Sequence, residues 1–343
     1  MAILVTGAAG FIGFHAAKAL LDRGEEVIGV DSLNDYYDPS LKSDRLAMLT
    51  GRKGFTFHRV DIAERSAMEA LAGGWSGVRR IVHLAAQAGV RHSLVDPYAY
   101  TRSNVEGHLV MLEMARRLGV EHFVYASSSS VYGANRKIPF STEDRADSPV
   151  SLYAATKKAN ELMAHAYSHL YGLPATGLRF FTVYGPWGRP DMALFIFTKA
   201  ILEGRPIKVF NHGDMRRDFT YIDDIVRGIL DVLDASPPEA GAPPHRVYNI
   251  GNHRSEDLMR LIRLIEAAVG RTALCEFLPM QPGEVPETYA DIESIGRDIG
   301  FRPTTTLDEG VPRFVSWYLD YFSVPASAAR VGAAAGRSPV HAF

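Results

Sequence analysis

The chain has 343 residues, room for one large or two smaller domains, and its 47% apolar and 22% charged residues are ordinary for a soluble globular protein. A net charge of −2 gives no electrostatic case for a nucleic-acid partner or an anionic membrane, and the single Cys275 excludes an internal disulfide and a cysteine metal cluster. No apolar run approaches the roughly 20 residues that span a bilayer, and Met1-Ala2-Ile3 enters a strand without a basic leader, so the expected compartment is the cytoplasm.

Ile3 to Thr6 predicts a short strand, followed by Gly7, Gly10 and Gly13 at G-x-x-G-x-x-G spacing and a helical pattern through Leu20 and Leu21. A strand, a glycine-rich turn and a helix N-terminus together bring free backbone N–H groups and a positive dipole end to a pyrophosphate. A plain tight turn also needs glycines. A second predicted strand, Glu26 to Val30, ends in Asp31, whose carboxylate can accept from a ribose diol and would repel a 2′-phosphate. The ligand read from this unit is a dinucleotide, NAD over NADP.

Strands continue at Phe55 to Val60, ending at Asp61, and at Ile81 to Leu84, ending in Ala85-Ala86-Gln87. A helix from about Pro97 to Leu118 and a strand at His122 to Ala126 follow. Strands alternating with helices predict an α/β fold with a doubly wound, Rossmann-like parallel sheet, its ligands at the carboxyl ends of the strands.

Next come Ser127-Ser128-Ser129-Ser130 and then Tyr153 and Lys157, four apart on one helix face. A neighbouring ammonium favours the phenolate, so the pair predicts a tyrosine general base with a lowered pKa; alone, it also reads as a solvated helix face. A strand is expected at Ala175 to Phe181 and a Gly/Pro-rich loop at Thr182 to Pro190. Beyond lie helices near Met192 to Glu203, Asp223 to Leu233, Ser255 to Ala268 and Leu307 to Phe322, with strands at Ile207 to Phe210 and Val247 to Ile250. The segment from Ser236 to Pro244 reads as a solvated linker and the Ala-rich stretch from Ala326 as a disordered tail. The division expected is 1–185 for the dinucleotide and 186–325 for a smaller, partly interleaved α/β substrate domain, whose strand near 247–250 returns to the main sheet, with 326–343 as the tail.

With the glycine turn, the Tyr153/Lys157 pair, Ser130-Val-Tyr-Gly133 and Arg217-Asp-Phe219 in hand, the chain resembles the extended short-chain dehydrogenase/reductases that act on nucleotide sugars. Within them, Asn34-Asp-Tyr-Tyr-Asp38, Gln87-Ala-Gly-Val-Arg91 and Tyr184 to Met192 resemble the UDP-glucuronate 4-epimerases. The resemblance implies that Tyr153 removes the sugar 4-hydroxyl proton while NAD takes the C4 hydride, that Lys157 lowers the phenol pKa and holds the nicotinamide ribose, and that Ser128 bonds the same 4-oxygen. It places Phe11, Ile12, Asn34, Ile62, Leu84, Ala85, Ala86 and Gln87 with the glycines, Asp31 and Asp61 around NAD. It implies no metal and a homodimer formed through a four-helix interface from the helices of Met111 and Met163.

The family's dehydratases and decarboxylases carry carboxylates where this chain has Ser129 and Ser130, and a serine hydroxyl is too weak an acid for elimination. A 4-keto glucuronate is a β-keto acid and loses CO2 when its carboxylate aligns with the carbonyl π system. Arg189 can hold that carboxylate through a rigid fork, with Thr182, Ser129 or Ser130 adding hydrogen bonds; a surface or phosphate-facing arginine is the plainer alternative. Arg217 matches the family's diphosphate arginine, though Asp218, Asp223 or Asp224 offer ion-pair partners. Lys199, Val209, Phe210, Asn211 and Glu284 fall where the family lines its uridine pocket, and core packing or a solvated turn accounts for them equally. Arg91 and Asn104 are read as supporting the site without contact. His165 and His169, one helical turn apart, lack a third ligand and read as a polar face, and the pairs Trp187/Trp317 and Tyr36/Tyr37 lack the basic stripe of a nucleic-acid surface.

Overall fold

The computed structural model describes residues 1–235, 243–281 and 283–324. Most of the Ser236 to Pro244 linker and all of the tail from Ala326 lie outside the described residues.

Six strands and their helices make up the first part of the chain: β1 (Ala2–Thr6), α1 (Phe11–Asp22), β2 (Glu26–Asp31), α2 (Ser40–Thr50), β3 (Phe55–Arg59), α3 (Arg65–Ala72), β4 (Val78–His83), α4 (Pro97–Tyr100), α5 (Gly107–Leu118), β5 (His122–Ser128), α6 (Leu152–Tyr171) and β6 (Ala175–Phe180). The second part adds β7 (Thr182–Tyr184), α7 (Ala193–Leu202), β8 (Ile207–Val209), β9 (Arg216–Arg217), β10 (Phe219–Tyr221), α8 (Ile222–Asp234), β11 (His245–Ile250), β12 (Glu256–Asp257), α9 (Leu258–Val269), β13 (Cys275–Phe277), α10 (Glu293–Ile299) and α11 (Leu307–Tyr321). Seven strands form one parallel sheet in the order β11-β6-β5-β4-β1-β2-β3. The order turns back at β1, so β1 and β4 open a crevice at their carboxyl ends, where α/β sheets bind ligands.

Helices cover both faces, which is why the central strands are buried on both sides: Ile3, Leu4 and Val5 of β1 are buried, and so are all six residues of β6, Arg179 among them. The glycine turn is set by two close approaches. Gly7 has a left-handed φ of 72°, and a Cβ there would sit 2.8 Å from the backbone nitrogen of Ala85; at Gly13 a Cβ would meet the carbonyl oxygen of Gly7 at 2.0 Å. α1 therefore begins directly under the turn. α6 starts where Ser151 accepts a hydrogen bond from the Ala154 N–H (3.1 Å) and stops at Gly172, φ 65°.

The second part is not a detached unit. β11 pairs along its whole length with β6, and α8 packs on α1. One buried cluster runs from Val5 and Phe14 to Phe195, Ile229, Ile265 and Phe314. Around it lie the short pairs β7–β10, β9–β12 and β8–β13. Thr182 to Tyr184, expected as loop, is strand because Val183 and Tyr184 are buried against Phe219 to Tyr221. The helix expected from Pro97 to Leu118 contains a π segment, Thr101–Glu106, whose wider turn carries the buried Asn104.

Candidate active site

A cleft of about 1160 Å³ runs along the carboxyl ends of the strands and into the second part of the chain. Gly7, Gly10, Phe11, Ile12 and Gly13 line one end, with Asp31, Asn34, Asp61, Ile62, Leu84, Ala85, Ala86 and Gln87. Tyr153, Lys157 and Ser128 to Ser130 lie in its wall, and Thr182, Arg189, Lys199, Phe210, Arg217 and Glu284 extend it.

At the glycine end, Asp31 is pinned from two sides: its Oδ2 accepts from the Ala9 N–H (3.0 Å) and its Oδ1 from the Leu33 N–H (2.8 Å). Lys42, buried, donates to the Asn34 carbonyl (2.6 Å) and to its side-chain oxygen. Asp61 accepts from the Ala63 N–H (2.9 Å) and from Arg102 (3.1 Å). The residues fit a dinucleotide: the turn admits no side chain, and the buried Gln87 side-chain nitrogen on the cleft wall has no hydrogen-bond partner.

Ser128 is the last residue of β5, and its Oγ accepts from the Ser130 N–H (3.2 Å) as the chain turns into a 3₁₀ segment. Tyr153 lies in the first turn of α6 and Lys157 one turn on, with Nζ donating to the Ala126 carbonyl (2.9 Å). Beneath them Glu161, on the same helix, accepts from the Ser127 hydroxyl (2.7 Å) and from both arms of Arg179 on β6 (2.8 and 2.8 Å), which ties α6 to the end of β5.

The electrostatics differ from the sequence reading. Burial pushes the Tyr153 phenol above its ordinary pKa, and the Ser128 hydrogen bond and the charge of Arg189 pull it partway back. The cation that lowers the phenol is thus Arg189 on the facing loop, because the Lys157 ammonium is turned to the Ala126 carbonyl. Lys157 itself is pulled down to about 8 by burial.

Arg189 is carried on a loop that a buried arginine holds in place: Arg45 donates to the carbonyls of Ala9 (3.0 Å) and Trp187 (2.6 Å) and to the Tyr37 hydroxyl (2.9 Å). Arg189 Nε donates to Asp191 Oδ1 (2.9 Å) and its Nη2 to Oδ2, while the Tyr36 hydroxyl donates to the same Oδ2 (3.1 Å). The sequence reading gave Asp191 no role and weighed Tyr36 only as half of the Tyr36/Tyr37 pair. An opposite charge two residues after Arg189 was the available signal.

At the far end Arg91 donates from Nε to Glu284 Oε1 (2.8 Å) and lies over the Phe210 ring at 4.7 Å, and Arg217 Nη2 approaches Glu284 Oε2 at 4.0 Å. Arg91 thus lines the cleft itself. Arg217 also donates to the Arg216 and Pro286 carbonyls (2.8 and 3.0 Å). Its neighbour Asp218 is no ion-pair partner, being fully buried and accepting from the Asn252 and Ala290 N–H groups (2.6 and 3.1 Å). Two expected pocket residues do not reach the cleft wall. Val209 is a buried core residue of β8, and Asn211, with φ 48°, turns its side chain to the Asp214 carbonyl (2.6 Å).

The fold and the cleft define a dinucleotide-dependent enzyme in which a phenol, a hydroxyl and an ammonium meet at the end of the central strands. Residues 3–251 match the model of the NAD dependent epimerase/dehydratase family, and the chain belongs to that family. It is 55% identical over 336 residues to an uncharacterized 37.6 kDa protein of Escherichia coli, covering 94% of this chain and 100% of the relative. It is 49% identical over 331 residues to a probable UDP-glucuronate 4-epimerase of Rhizobium meliloti, covering 93% and 97%. Among solved structures, a UDP-glucuronic acid 4-epimerase from Bacillus cereus in complex with UDP-glucuronic acid and NAD superposes with a TM-score of 0.86 at 34% identity, covering 94% of this chain and 100% of that one.

Proposed function

We propose that the protein is a UDP-glucuronate 4-epimerase that interconverts UDP-glucuronate and UDP-galacturonate through a 4-keto sugar. The observation that carries the reading is the convergence of Tyr153, Ser128 and Arg189 on one cleft, in a chain whose relatives include named UDP-glucuronate 4-epimerases. Tyr153 takes the 4-hydroxyl proton and returns it, Ser128 bonds the 4-oxygen in both states, and Lys157 presents its ammonium at the cofactor end of the wall. NAD, held by the glycine turn, Asp31, Asp61 and Gln87, supplies the group that accepts the C4 hydride and gives it back. The ketose must expose its opposite face before the hydride returns.

Arg189 holds the sugar carboxylate, with Thr182, Ser129 and Ser130 beside it, out of alignment with the 4-carbonyl, so the C5–C6 bond does not break to release CO2. Arg217 and Arg91 meet the diphosphate, Phe210 and Lys199 border the uridine, and Glu284 accepts from its ribose. In this reading residues 1–185 serve the dinucleotide and the following part the UDP-sugar. The protein works as a homodimer, for which the exposed Leu109 on α5 and Leu162, Leu170 and Tyr171 on α6 provide an apolar face; Met111 is core and contributes nothing to it. Among the described residues no helix is long and apolar enough to cross a membrane, and a lone cysteine of intermediate burial suits the cytoplasm.

The test is turnover of the NAD-loaded protein on UDP-glucuronate and UDP-glucose, followed by separation of the sugars. UDP-galacturonate is the expected product, and Arg189→Ala raises KM for UDP-glucuronate and releases a UDP-pentose by loss of CO2. Turnover of UDP-glucose alone would overturn the acid-sugar assignment.

A further inference from the structure

A guanidinium carries five N–H donors in one plane, and these form two forks able to grip a carboxylate: the Nε–Nη2 edge and the Nη1–Nη2 edge. In Arg189 the first edge is taken. Nε and Nη2 donate to the two oxygens of Asp191, while Nη1 makes no hydrogen bond to the described residues. Asp191 is itself fixed, since Tyr36 donates to its Oδ2 (3.1 Å) and the Tyr36 ring lies against His92 at 4.6 Å. Gly89, with φ 107°, makes room: a Cβ there would lie 3.1 Å from the Tyr36 hydroxyl and 3.8 Å from Arg189 Nη2.

We propose that Asp191, oriented by Tyr36, is the positioning residue for acid-sugar specificity, occupying one edge of Arg189 so that the other is the fork presented to the substrate carboxylate. The proposal rests on the reading of Arg189 given above. A lone arginine on a loop would spread its donors among several rotamers and could turn to the diphosphate. Clamped along one edge it has a single orientation, and little of its conformational freedom is left to lose on binding. The clamp also removes an unpaired cation from the cleft when the ligand has no carboxylate. Asp191 stays ionised in this setting: burial alone would raise its pKa, but the charge and hydrogen bonds of Arg189 bring it below the ordinary value.

The experiment is calorimetric titration of NAD-loaded wild type, Asp191→Asn, Tyr36→Phe and Arg189→Ala with UDP-glucuronate and with UDP-glucose. Asn keeps the shape but offers one acceptor and an N–H2 group that faces donors. The expected result for Asp191→Asn is a loss of about tenfold or more in affinity for UDP-glucuronate, with UDP-glucose within about twofold. Tyr36→Phe shifts the ratio the same way by less, and it carries the test if the Asn variant does not fold. Equal weakening of both ligands would make Asp191 a merely structural residue, and tighter binding of UDP-glucuronate would make it a competitor for the fork; either overturns the proposal. If Arg189→Ala leaves the preference between the two sugars intact, the carboxylate role of Arg189 fails instead. Loss of the preference in Arg189→Ala but not in Asp191→Asn or Tyr36→Phe overturns the positioning role alone.

Discussion

The two ends of the cleft are built in different ways. At one end, Tyr153, Lys157 and Ser128 sit on regular elements, α6 and β5, which the Ser127 hydrogen bond to Glu161 joins, and the buried Glu161–Arg179 pair locks α6 to β6. At the other end, Arg189, Asp191, Tyr36, Arg91, Arg217 and Glu284 come mostly from loops and hold one another, Arg189 by Asp191 two residues on, Asp191 by the distant Tyr36 and Glu284 by the distant Arg91. Chemistry common to many substrates is placed on rigid scaffold, where geometry is fixed by packing. Discrimination is placed on loops, where one side chain can change without disturbing the fold.

The sharpest test of this contrast is at Tyr153. Tyr153→Phe removes the hydroxyl proposed to move the proton and keeps the ring, so kcat is expected to fall by about 10²–10⁴ while the melting temperature holds within a few degrees. Steady-state turnover with thermal melting checks both, and a variant retaining a tenth of wild-type kcat breaks the assignment. Substitution at the other end shifts binding instead. If Arg217 meets the diphosphate as proposed, Arg217→Ala removes a charge-assisted contact and raises KM about 10–100-fold with kcat within about threefold. Competition by free UDP separates the outcomes, since a fall in kcat equal to the rise in KM would place Arg217 in the chemical step.

The smallest effect is on stability and has the opposite sign to the effect on activity. Lys157 is charged in the unfolded chain up to its ordinary pKa of 10.5, whereas in the folded protein burial brings it down to about 8. The folded state therefore disfavours the ammonium, and below pH 8 this costs about 1–3 kcal/mol. Lys157→Met should raise the denaturation midpoint of cofactor-free protein at pH 7. Its advantage should shrink between pH 8 and 10.5, where the wild-type folded lysine is neutral and the unfolded one is not. Denaturant melts across that window check the sign.

What the sequence disclosed follows the same division. The glycine turn, the alternation of apolar strand runs with helical stretches and the Tyr153/Lys157 spacing are patterns within short stretches of chain, and residue order alone reveals them. The partners of Asp191 and Glu284 do not show this way, because Tyr36 and Arg91 reach them across 155 and 193 residues. The side chains of Val209 and Asn211 stand off the cleft wall for a related reason: a family position says which segment borders the pocket, but burial in β8 and the left-handed turn after it decide which side chains face it. Lys157, placed by helix spacing one turn from the phenol, turns its ammonium to the Ala126 carbonyl, since spacing predicts proximity and not the direction in which a flexible side chain points.

β11 carries a consequence for biosynthesis. It joins the main sheet only after residue 245, yet it covers the edge of β6, a strand buried over its full length. A nascent chain that has emerged only through β6 holds the glycine turn and Tyr153 but leaves a strand built for burial with an open hydrogen-bonding edge, a form prone to pair with another polypeptide. Completion of the cofactor half thus waits on the ribosome reaching Ile250, and a fragment ending near 185 should aggregate rather than bind dinucleotide.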